Sequence, residues 1–246
     1  MKLKTIIWTL IAVVAGLDLT AQQLKHTQFS VSGDIVSSYV WRGAYNAGAS
    51  IQPSISVSRG GFSLTAWGSK EISGPHKEID LTAAYHFGKF GVVLTDYWWD
   101  GERYAKSDDV AYGKNNQYFH FDNHRTRHYL EAGLNYTLSE RYPLTIAWYT
   151  MFWGADKKRD GSQHYSSYVE FNYLWRTGGI DLNVTAGVSP YESRLYGVNR
   201  FAVCNLSLGA VKELTITPSF SLPVFARLIF DPAHEDAHMV FGFTLR

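Results

Sequence analysis

Residues 77–99, KEIDLTAAYHFGKFGVVLTDYWW, constrain the fold more than any other stretch, because two alternating arms meet at a minimal turn. In the first arm Ile79, Leu81, Ala83, Tyr85 and Phe87 share one face, while Glu78, Asp80, Thr82, Ala84 and His86 share the other. A period of two marks a β-strand. The polar face carries carboxylates and a histidine, which a dry core rejects unless they are paired. A barrel in a membrane satisfies both faces, with lipid outside and water inside. The second arm ends in Tyr97, Trp98 and Trp99, rings suited to a membrane–water boundary.

Residues 1–21 read as a separate segment. Lys2 and Lys4 precede an apolar run from Thr5 to Leu17 and small residues ending at Ala21. That order is the one found in secretory signal peptides, and the run is short for a spanning helix. The expected organisation is a signal peptide over 1–21, cleaved near Ala21, and one barrel over 22–246. Aromatic residues make up 15% of the chain and helical periodicity is nearly absent. A formal charge of +1 gives no basic stripe for nucleic acid. The single cysteine, Cys204, has no partner for an intramolecular disulfide and reads as a small packing residue.

Strands are expected at 29–42, 50–58, 62–69, 77–87, 90–99, 129–138, 144–153, 165–176, 180–188, 201–209, 214–222 and 239–246. In the first, Tyr39 and Trp41 fall on the lipid side and Arg42 inside. GAYNAG then reads as a short loop, and Pro53 sits awkwardly in the second strand because proline cannot donate to a ladder. Near residue 204 two sets of apolar residues compete for the outside, which a β-bulge would reconcile. Short links (RGG, FGKFG, SERYP, RTGG, the residues around Lys212) alternate with long ones, of which 100–126 is the longest. The reading is an all-β, antiparallel up-and-down transmembrane barrel of twelve strands, with its short turns on one side and its loops on the other. Phe87, Tyr136 and Trp175 would form the turn-side girdle, and Trp41, Trp99 and Phe152 the loop-side one.

The segments SSYVWRG at 37–43, SRGGFSLTAWGS at 58–69 and KEIDLTAAYHFG at 77–88 resemble the TorF-like family of outer-membrane porins, chiefly over residues 29–99. The resemblance implies an outer-membrane barrel of poorly defined substrate. The last strand ends in Arg246 where such barrels more often end in an aromatic residue.

The residues expected to line the lumen are Asp34, Arg42, Glu78, Asp80, Asp96, Glu131, Glu170, Arg176 and Asp181. Carboxylates outnumber arginines among them, which in an open passage favours cations or polar neutral solutes by Coulomb attraction. In a plugged barrel the same groups would pair with one another and with Arg127 or Arg200, and the sequence leaves both readings open. His120, His124 and His128 stand near Asp122, and His234 and His238 flank Glu235 and Asp236, but in extended chain such spacings are too wide to share an ion. No metal site and no cofactor is expected. No catalytic constellation emerges either, since a hydrolase would need a hydroxyl, a histidine and a carboxylate at one rim. The expected function is a porin-like passage for small polar or cationic solutes, with outer-membrane lipid as the surrounding partner. A structural or adhesive barrel working through its loops and an outer-membrane hydrolase are the alternatives.

Overall fold

A computed structural model describes residues 26–100, 118–122 and 126–246. The expected signal peptide and most of the 100–126 loop, including His124, lie outside the described residues. Fourteen strands follow one another without a helix among the described residues. They are β1 (Gln28–Val36), β2 (Tyr39–Trp41), β3 (Ala44–Ala47), β4 (Ser50–Arg59), β5 (Phe62–Glu71), β6 (Lys77–Phe87) and β7 (Phe90–Asp100). After these come β8 (His128–Thr137), β9 (Leu144–Gly154), β10 (Ser167–Thr177), β11 (Ile180–Ser189), β12 (Ala202–Thr217), β13 (Phe220–Asp231) and β14 (Asp236–Leu245).

Twelve of these strands form a closed barrel in which chain neighbours pair antiparallel, and β1 closes it against both β14 and β4. β2 and β3 pair only with each other in a separate two-stranded sheet. Closure leaves no unpaired edge, so every wall strand satisfies its backbone within the protein, as a lipid environment requires. The links Gly60–Gly61, Gly88–Lys89, Gly178–Gly179 and Pro218–Ser219 are two residues long and lie at one end of the barrel. The six-residue link 138–143 lies at the same end, and the connections that follow β5, β7, β9, β11 and β13 lie at the other.

Alternation sorts the side chains as expected for most of the wall. Leu134, Trp175, Met239 and Phe241 face outward and are largely exposed, as are Ile79, Leu81, Val184 and Leu228. Such a continuous apolar outer wall would be a severe liability in water and is what lipid accepts. Outside the turn-side end Phe87 stacks on Phe90, and Tyr136 tilts against Phe90, with ring centroids 5.8 and 4.8 Å apart.

Three expectations about the wall need correction. First, the strand expected over 29–42 stops at Val36. The Ser37 amide donates to the Phe241 carbonyl (2.8 Å) and the Ser37 hydroxyl accepts from the Phe241 amide (3.0 Å), which completes the seam and lets the chain turn inward. Tyr39 and Trp41 therefore face the lumen, and the expected GAYNAG loop is the returning strand β3. Second, Trp99 is buried against Tyr97 inside the barrel, so neither it nor Trp41 belongs to a loop-side girdle. Third, no turn forms around Lys212. β12 runs straight through it to Thr217, and Pro218–Ser219 make the turn, shifting the following strand to Phe220–Asp231.

Two irregularities were legible. Pro53 lies in β4, where the β4–β5 register skips from Ile51 to Ser54, so the missing amide falls in a gap in the ladder. A register shift at Gly187/Val188 opposite Asn205 and Val203 leaves Cys204 as an extra residue, and the strand changes faces there. Cys204 packs inside against Tyr168 and Tyr196, with Leu206 and Leu208 exposed on the outer wall.

Candidate functional site in the lumen

The β2–β3 hairpin is the element that shapes the interior. Trp41 pairs with Ala44, so Arg42 and Gly43 form a two-residue turn, and both have positive φ (52° and 93°). That is the geometry that matches the twist of a tight hairpin, but it strains a residue with a Cβ by about 1–2 kcal/mol. Gly43 also lies flat against β12: a Cβ there would stand within 1.8 Å of the Cys204 carbonyl oxygen. The turn thus wedges its tip against β12 and delivers Arg42 into the lumen.

Arg42 is held from every side. Its two terminal nitrogens donate to the two carboxylate oxygens of Glu131 at 2.6 and 2.8 Å, and one also donates to the Tyr196 hydroxyl at 2.6 Å. The Tyr97 hydroxyl donates to the same carboxylate at 3.0 Å. The guanidinium lies over the rings of Trp41, Tyr149 and Tyr168 at 4.5, 4.4 and 4.7 Å. A planar, weakly hydrated cation suits this combination of a bidentate acid and stacked rings. Inward glycines make room for two of the rings, since a Cβ at Gly133 would meet the Tyr149 ring and one at Gly187 would meet the Tyr168 hydroxyl.

This layer stands between the loop end and the turn end of the interior. Towards the loops, a vestibule of about 1230 Å³ is lined by residues that include Lys158, Arg159, Arg194 and Arg200. Towards the turns lie a cavity of about 410 Å³ under the hairpin and one of about 340 Å³ beside Glu170 and Lys89.

The expected lumen residues divide accordingly. Arg42 and Glu131 meet in the layer itself. Asp34 accepts a hydrogen bond from the Thr244 hydroxyl at 2.6 Å and lines the cavity under the hairpin with Asp80. Glu78 accepts from the Tyr39 hydroxyl at 3.2 Å and contacts His76 Nε2 at 3.2 Å. Glu170 borders the other cavity with His86, Asn135 and Asn172. Arg176 and Asp181 face each other at 3.4 Å near the turn-side mouth, both largely exposed. Arg127 pairs with Asp100 at 2.7 Å.

Asp96 is the correction. Thr95 and Tyr97 point inward, so Asp96 points out of the barrel, not into the lumen. The outer wall accepts a carboxylate there because His128 Nδ1, on the neighbouring strand, lies 2.8 and 3.0 Å from its two oxygens. Tyr118 and Phe121 cover the His128 ring, and its Nε2 faces the Tyr118 carbonyl oxygen at 2.5 Å. This pair therefore offers no nitrogen to a nucleophilic hydroxyl. At the loop end, Ser166 donates to Asp156 rather than to a histidine. The other histidines part company: His234 binds Asp231 at 2.7 Å, and His238 lies beside the ring of Tyr45.

The aromatic residues of the layer escaped sequence reasoning. Tyr149, Tyr168 and Tyr196 carry no charge pattern, and the available signal was the pairing of inward tyrosines with inward glycines on adjoining strands.

No family model matches the chain, and no curated protein matches it. Solved structures similar to it include the NanC porin, at 9% identity and a TM-score of 0.41, covering 88% of this chain and 98% of that one. OprD from Pseudomonas aeruginosa is similar at 12% identity and a TM-score of 0.38, covering 91% of this chain and 66% of that one. A double variant of OccD1 (OprD) gives 12% identity and a TM-score of 0.37, with 91% and 65% covered.

Proposed function

We propose that the chain is a porin-like channel of the bacterial outer membrane for small polar or cationic solutes, exported through residues 1–21 and narrowed by its own hairpin at the Arg42 layer. The observation that carries this reading is the division of the interior: one inward hairpin separates polar-lined cavities, where a structural barrel would fill the lumen with packed side chains. The resemblance to the TorF-like porins agrees with it. Charge in the layer is compensated, because Arg42 neutralises Glu131, and Arg176 faces Asp181 at the mouth. Selectivity then falls to the carboxylates that border the cavities beyond the layer, Asp80 and Glu170.

Liposome swelling tests the proposal. Proteoliposomes should admit small sugars and amines and exclude larger ones, with faster entry of cations than of anions of equal size at low salt. Impermeability of well-folded protein to all of them would favour the structural or adhesive reading.

A further inference from the structure

The cavity under the hairpin has a composition that a water-filled passage does not need. In the register of the wall, Asp80 stands directly opposite Trp67 of β5 on one side and Tyr97 of β7 on the other, so the three side chains share one row facing inward. The hairpin supplies a second tier of rings. Tyr39 lies 5.6 Å from Trp67, and Trp41 lies 5.5 Å from Tyr97, centroid to centroid. Four aromatic rings and one carboxylate thus line the same 410 Å³ space.

Asp80 is only 8% exposed, and its Oδ1 has no hydrogen-bond partner among the described residues. A buried carboxylate oxygen left unmatched is costly and asks for a donor. Glu78 lies two residues away on the same face, and Asp34 lines the same cavity, so the local field favours a positive visitor. Arg227 lines the cavity as well and lies 5.3 Å from the ring of Phe225. A bare metal ion would want about six oxygen ligands, and it would draw nothing from the rings of Tyr39, Trp41, Trp67 and Tyr97 beyond the two tyrosine hydroxyls. An ammonium group on a short carbon chain suits both features, donating an N–H hydrogen bond to Asp80 while its retained charge faces the rings.

We infer that the cavity formed by Asp80, Trp67, Tyr97, Tyr39 and Trp41 is a binding site for a small organic ammonium ion. The site lies in the passage proposed above and so rests on that reading, naming the class of solute it selects.

The test is calorimetry on the purified, folded chain in detergent, with n-butylammonium as the probe and butyrate as its anionic counterpart. Saturable binding of n-butylammonium and none of butyrate is expected. Asp80→Asn, which keeps shape and hydrogen-bonding capacity, should weaken it about tenfold or more, the loss of one charge-assisted hydrogen bond. Trp67→Leu, which keeps the carboxylate, should weaken it about three- to tenfold. Asp160→Asn, in an exposed loop, should leave it unchanged. Should Asp80→Asn fail to fold, Trp67→Leu carries the comparison. Wild-type affinity in both folded variants, equal binding of butyrate, or no binding by the folded wild type would each overturn the site. Conductance of the wild type, measured separately, keeps the two readings apart. Ion conduction without binding overturns the site and leaves the channel, and binding without conduction overturns the channel and leaves the site.

Discussion

Gly43 lies against the backbone of Cys204, so close that its missing Cβ is what allows the hairpin tip to touch β12. Arg42, its neighbour in the same turn, reaches Glu131 on β8.

Gly43→Ala should therefore lift the hairpin from the wall. The new methyl would clash with the Cys204 carbonyl oxygen and would also disfavour the positive φ that the turn requires. The barrel strands do not depend on the hairpin for pairing. Expected are unchanged β-content by circular dichroism and a larger, noisier conductance. Unchanged conductance would mean the hairpin does not limit the passage.

The layer should behave as a unit in stability measurements. Glu131→Ala leaves the Arg42 charge enclosed without its acid and should cost about 3–5 kcal/mol in urea unfolding. Arg42→Met together with Glu131→Met removes both charges at similar volume and should be nearly neutral. A double variant as unstable as the single one would place the cost in packing, not charge.

The outer wall can be tested along β11, where neighbours face opposite ways. Val184 is half exposed on the outside, while Asn183 exchanges hydrogen bonds with Asn172 inside. Val184→Arg should destabilise the protein in bilayers by about 2–4 kcal/mol if it sits near the midplane, and Asn183→Arg by much less. Equal effects would contradict the assigned faces.

One loop should respond to pH. His234 Nδ1 hydrogen-bonds to Asp231 at 2.7 Å, and this contact raises its proton affinity above that of an ordinary histidine. A raised folded-state pKa stabilises the loop fully below the unfolded value and loses that contribution as pH climbs through the folded one. The His234 ring resonances should titrate with a midpoint above about 6.5, and Asp231→Asn should move it back down. A midpoint insensitive to Asp231→Asn would break the link.

How much of this was legible depends on what alternation can say. The hairpin of β6 and β7 and the wall strand β11 were readable because lipid on one side and water on the other enforce strict alternation. Tyr39 and Trp41 alternate just as regularly, yet their hairpin is inside. Periodicity gives two faces but does not say that both lie within the barrel, and the clue was the Arg42–Gly43 turn signal. Asp96 was misplaced because a carboxylate implies water, and its compensating His128 lies on a neighbouring strand after a long loop. Lys212 and Glu213 resembled a turn by charge alone, while Pro218 marked the real one. Glu131 and Arg42 were both expected inside, but their meeting depends on the inward hairpin, which sequence spacing does not reveal.

The most direct measurement is single-channel recording in planar bilayers of the wild type and of Arg42→Ala/Glu131→Ala, at low and high salt. The wild type should give small, cation-preferring steps whose selectivity weakens as salt shortens the Debye length. Opening the layer should enlarge the steps in the double variant while β-content stays the same. Silence from both proteins, inserted and correctly folded, would contradict the account.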